Sequence, residues 1–177
     1  MILDITIYGD EVLREKSKPV EKIDDGIKDL VYDMLETMHD ADGVGLAAQQ
    51  VGRTEDICVI DVPAESEKAK YREFNSAVEM PLVLINAKIT ASEGSQRDME
   101  GCLSFPDIHA QITRADKVTV EYTNLDGERR EATACGLLAR AIQHELDHLQ
   151  GTLMVDRMSK LQQMSAAGKL KRLRTER

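Results

Sequence analysis

The residues with the most chemical content lie in one pentapeptide, His144-Glu145-Leu146-Asp147-His148. On a helix, side chains four apart share a face about one turn apart, so both imidazoles can reach one metal ion. Glu145, about 100° further round, is near enough to act as a base towards water on that metal. The same angular placement sets Leu137 and Ala141 beside the histidines, with Leu138, Ile142 and Leu149 on the adjoining arc. The pair therefore stands at the edge of a buried face, where neutral imidazoles need partners that a metal supplies to both. Ordinary helix histidines separated by exposed acids are the simpler alternative. Two of the chain's four histidines at this spacing around a glutamate weigh against it.

A catalytic site of this kind takes three protein ligands and leaves a position open. The extended pattern H-E-x-x-H-x-x-G-x-x-H is met only in part, because Gly151 is in register but Met154 stands where the third histidine would be. Further downstream the only glutamate is Glu176, in the tail. The third donor then has to come from upstream, with Cys58, Cys102, Cys135, His39 and His109 as candidates. Cys58 sits among apolar neighbours and reads as a small buried hydrophobe. Cys135 begins the histidine helix, too far along its axis to share an ion with His144. Cys102, in Glu100-Gly101-Cys102-Leu103-Ser104-Phe105-Pro106, follows a glycine in a turn that suits a presented thiolate, although alone it is only a loop cysteine. A zinc endopeptidase is one rival reading, weakened by the missing downstream ligand. A binding module with a closed structural ion is another, weakened by the lack of a fourth ligand or a C-x-x-C pair.

The elements that must position these residues follow from periodicity. Ile27, Leu30, Val31, Met34, Leu35 and Met38 form one apolar stripe, predicting a helix capped by Asp24 or Asp25 and ending near Asp42-Gly43. Residues 57–61 (ICVID) and 81–86 (PLVLIN) read as strands, separated by a polar stretch from Pro63 to Met80. Residues 117–133 read as a hairpin around Asp126-Gly127. A helix is expected from Gly136 to Gln150 with Gly151 as its stop, and a last helix from near Asp156. The class is α+β: antiparallel sheets around a central helix carrying the metal motif, with an N-terminal and a C-terminal helix. Gly43-Val44-Gly45-Leu46-Ala47-Ala48-Gln49-Gln50 lacks nucleotide-loop spacing. Its glycines would let a ligand approach the backbone, and a glutamine amide can donate to a developing oxyanion. A helix stop followed by a small-residue strand accounts for it equally well.

The 177 residues carry a net charge of −9, too acidic for a general nucleic-acid binder. Length and the lack of a linker predict a single domain over 1–177. Residues 157–177 hold seven bases against one acid, a basic tail at +6 on a remainder at −15. No apolar run suits a membrane span, Asp4 and the absence of early bases argue against a signal peptide, and three cysteines suit a reducing cytoplasm.

Three segments together resemble the peptide deformylases: GVGLAAQQ (43–50), EGCLS (100–104) and QHELDH (143–148), in that order. The opening ITIYGDEVLREKSKPVEKID (5–24) is similar to that family's N-terminus, while residues 62–80 and the tail are less so. The resemblance implies Cys102, His144 and His148 as ligands of a divalent ion, usually ferrous iron, with zinc, nickel or cobalt as alternatives. It implies Gln50 and the backbone N–H of Leu103 as oxyanion donors, Glu145 as general acid/base, and Val44 and Gly45 as lining of the peptide groove. The implied reaction is hydrolytic removal of the formyl group from N-formylmethionyl nascent chains by hydroxide generated on the ion, releasing formate. Asp147 is expected to be solvated or in a structural pair. The basic tail reads first as a solvated face, with docking on ribosomal RNA as the alternative.

Overall fold

The computed structural model describes residues 1–176. The first helix, α1 (Asp25–Asp40), forms where its apolar stripe lies, burying Leu30, Val31, Met34 and Met38. Asp24 is its cap: the carboxylate accepts the Ile27 N–H at 2.9 Å, satisfying one of the amides that a helix start leaves unpaired. After a tight turn, the glycine-rich segment becomes a short strand, β1 (Gly45–Ala47), and a 3₁₀ turn over Ala48–Val51. Strand β2 (Ile57–Ile60) is buried at all four positions, which is why it reads as a continuous apolar run rather than an alternating one.

The polar stretch contains a short helix, α2 (Ala69–Asn75), which the periodicity did not foretell because it buries none of its own residues. Strand β3 (Leu82–Glu93) runs well past Asn86. Its second half is mostly exposed and is held by antiparallel pairing with β6 (Lys117–Thr123), so no apolar pattern marks it. Two further strands, β4 (Gln96–Gly101) and β5 (His109–Arg114), form a separate two-stranded ribbon, also unforeseen. In β5 every second residue is buried, but one of these, Arg114, is charged and masks the alternation. The expected hairpin is present as β6 and β7 (Arg129–Cys135), with Asn124 Oδ1 accepting the Asp126 and Glu128 amides across the turn.

The five-stranded sheet has the order β1-β2-β3-β6-β7, every neighbouring pair antiparallel. The expected metal-motif helix, α3 (Gly136–Leu149), packs against β1, β2, β6 and β7, with Leu138, Ala139 and Ile142 in one core with Leu82, Leu84 and Val120. The architecture is thus α+β around a central helix, as expected. The C-terminal helix is split: α4 (Met154–Arg157) precedes α5 (Lys160–Thr175), which starts at a Ser159/Gln162 capping box. Leu170 packs with Leu13, Phe105, Ile112 and Met158, so α5 is anchored on one side rather than wholly solvated. Among the described residues, no helix is long and apolar enough to cross a membrane.

Candidate metal centre and active site

Helix α3 presents His144, Glu145 and His148 to a buried spot, each less than a tenth exposed. Cys102 arrives immediately after β4, carried by the ribbon. Its Sγ lies 3.4 Å from His148 Nε2, which lies 3.3 Å from His144 Nε2, and the ligating atoms of all three residues fall within 4.8 Å of one another. Nitrogen ligands about 2.0–2.1 Å from a tetrahedral ion would themselves be about 3.3 Å apart. The donor set therefore fits one divalent metal. Two buried atoms beside it, Glu145 Oε1 and His148 Nδ1, have no hydrogen-bond partner among the described residues.

Glu100 organises the other side of His144. Its Oε1 accepts the Nδ1 proton of His144, leaving Nε2 for the cluster. The same carboxylate receives Arg114 Nη2 at 2.6 Å and Arg140 Nη1 at 2.8 Å. Burial raises the Glu100 carboxyl, but His144 and Arg114 outweigh it and hold the group well below the usual range. Arg114 also reaches Asp147 at 2.6 Å, which in turn binds Arg157 at 2.9 Å. Asp147 is thus in a structural pair, the second of the two expectations for it. The sequence reading missed Glu100, Arg114 and Arg140 as site residues. The signal was a carboxylate two residues before Cys102, which needs cations if that turn is buried.

Burial lowers His144, yet Glu145, Cys102 and Glu100 outweigh it and hold the ring well above its ordinary pKa. His148 is held well below, by burial and then by His144, and is neutral. Glu145 is pushed up by burial to about 7.

A cavity of about 450 Å³ opens onto Cys102, His144 and Glu145, lined also by Val44, Gly45, Gln50, Leu103, Leu137 and Arg140. Gln50 Oε1 accepts the Ala47 N–H at 2.9 Å, which turns Nε2 towards Ser104 Oγ at 3.2 Å and Cys102 Sγ at 3.5 Å. The amide is oriented as a donor beside the cluster. Gly45 faces Glu145 so closely that a Cβ there would stand 2.9 Å from its Cδ. The segments 43–50, 100–104 and 143–148 therefore meet in one place. The other candidates do not join them as ligands: His39 pairs with Asp61 at 2.8 Å, Cys58 is buried in β2, His109 lines the cavity wall, and Cys135 bonds Asn75.

The family model for polypeptide deformylase matches residues 2–164. A peptide deformylase of Alkalilimnicola ehrlichii is 42% identical over 172 residues, covering 97% of this chain and 90% of its own. One from Desulfitobacterium hafniense is 47% identical, with 90% and 96% covered. The crystal structure of the Thermus thermophilus peptide deformylase superposes with a TM-score of 0.86 at 38% identity and covers 100% of both chains. That of Synechococcus elongatus, in complex with actinonin, superposes at 0.84 with 41% identity, over 96% of this chain and 86% of that one. With the family model spanning most of the chain and full-length relatives above 40% identity, this chain belongs to the polypeptide deformylase family.

Proposed function

We propose that this chain removes the formyl group from N-formylmethionyl nascent peptides, with Cys102, His144 and His148 holding one divalent ion, ferrous iron first and zinc, nickel or cobalt as alternatives. The observation that carries the reading is the convergence of those three donors within 4.8 Å of one another, beside a cavity lined by Cys102, His144, a buried glutamate and a donor amide. When bound, the ion supplies Lewis acidity and lowers the pKa of a water from about 15.7 to near 7.

The chain's own residues do the rest. The peptide enters beside Val44 and Gly45, where the missing side chain at Gly45 makes room for the Glu145 carboxylate at the cavity wall. Charge developing on the formyl oxygen meets the Leu103 N–H and Gln50 Nε2, the latter already oriented by its bond from the Ala47 N–H. Glu145, in a pocket that holds its carboxyl up to about 7, is poised to take the attacking water's proton and return it to the amine that leaves. A formyl hydrogen fits where an acetyl methyl is crowded, which makes the selectivity steric.

The test is incubation of anaerobically prepared, iron- or cobalt-loaded protein with a formyl-Met tripeptide and with its acetylated twin, measuring formate and free amine. Formate release with the acetyl peptide spared is expected. No release from a loaded sample overturns the substrate assignment. Actinonin, the compound in the Synechococcus elongatus complex, is expected to compete with the formyl peptide.

A further inference from the structure

Helix α3 carries two metal ligands yet begins without a side-chain cap of its own: Cys135, at the capping position, makes no such bond. The Gly136 amide reaches the Asp116 carbonyl at 3.1 Å, and the next two are satisfied from 70 residues upstream in sequence. The carboxylate of Glu67 accepts Leu137 N–H at 2.7 Å and Leu138 N–H at 3.1 Å. Asn75, at the end of α2, holds that carboxylate with its Nδ2 at 3.0 Å, and grips Cys135 through its carbonyl at 2.9 Å and its amide at 3.0 Å. Glu67 is buried although its segment is polar. Gly136 has φ +62, and a Cβ there would stand 2.8 Å from Tyr71 Cγ, so only glycine lets the clamp close.

We propose that Glu67, held by Asn75, is a positioning residue for the reaction, fixing the start of α3 and through it Leu137, His144 and Glu145. The helix runs from the clamped Leu137 amide to His144 over seven residues, about 10 Å. At the far end there is no slack, since Glu145 already packs against the bare backbone of Gly45. A shift of about 1 Å there is enough to cost on the order of 10²-fold in rate. The polar stretch from Pro63 to Met80 thus reaches the reacting groups without touching them. The inference rests on the reading of Cys102, His144 and His148 as metal ligands.

The experiment compares full-length cobalt-loaded wild type, Glu67→Gln and Glu67→Gln/Cys135→Ser, well below their melting temperatures. The serine offers α3 a local cap. In Glu67→Gln the visible cobalt spectrum is expected to change, chelator to strip cobalt about tenfold faster, and kcat to fall about tenfold. The added serine is expected to recover melting temperature while leaving spectrum and stripping rate altered. A Glu67→Gln spectrum and stripping rate equal to wild type overturns the proposal, as does recovery of every property by the serine, which would make Glu67 a helix cap only. If Glu67→Gln fails to fold, Asn75→Ala is read in the same way, an unchanged cobalt spectrum again overturning the proposal. Spectrum and stripping need no substrate, so an altered Glu67→Gln spectrum beside a wild type that releases no formate sustains the clamp and refutes the deformylase reading alone.

Discussion

Glu145 is expected to weaken the fold it serves, and its replacement by glutamine measures by how much. The carboxyl is buried, with Oε1 lacking a donor, and burial raises it from 4.5 to about 7. A folded-state pKa above the unfolded one means that folding favours the protonated form. That contribution is intact below about pH 4.5 and is lost as pH rises through about 7. Once both states are ionised the cost is about 3 kcal/mol, most of which develops between pH 5 and pH 8. For a chain of this size that is about 5–10 °C of melting temperature. The assay is thermal unfolding of chelator-treated wild type and Glu145→Gln across that interval. Wild type should lose stability relative to the variant as pH rises, and the variant, loaded with metal, should turn over about 10²–10⁴-fold more slowly while still binding the ion. Parallel stability curves would refute the argument that burial raises this carboxyl. Loss of metal binding would make Glu145 structural rather than an acid/base.

Three further substitutions probe separate parts of the site. Gln50→Ala removes an oriented oxyanion donor and should lower kcat by about 10²–10³ with metal content unchanged; a KM effect alone would assign Gln50 to ground-state binding. Glu100→Gln leaves Arg114 and Arg140 buried without their carboxylate and should cost about 3–5 kcal/mol in denaturant unfolding. It should also weaken metal binding about 10–100-fold by freeing His144, and an affinity equal to wild type would show that Glu100 does not orient that ring. Gly45→Ala forces a methyl against Glu145 and should cost about 1–3 kcal/mol from overpacking. An unaltered kcat in that variant would show that the groove and the carboxylate have more room than the geometry gives.

What the sequence determines by itself is local. The i, i+4 histidines, the Asp24 cap, the apolar stripe of α1 and the Asp126-Gly127 turn are set by neighbours a few residues apart, and each element forms where its pattern lies. The three motif segments were legible for the same reason, and their types named the chemistry. Tertiary structure decided what depends on partners distant in sequence. The ribbon β4-β5 and the outer half of β3 exist because other strands satisfy their backbone, and their side chains carry little periodic signal. Glu100 becomes a hub only because Arg114, Arg140 and His144 are folded around it. Glu67 and Asn75, in a stretch that reads as a polar loop, acquire meaning from an uncapped helix 70 residues further along. Hydrogen bonds across such separations leave no mark on local composition. They are fixed by the need to satisfy every buried donor and acceptor once the chain has closed on itself.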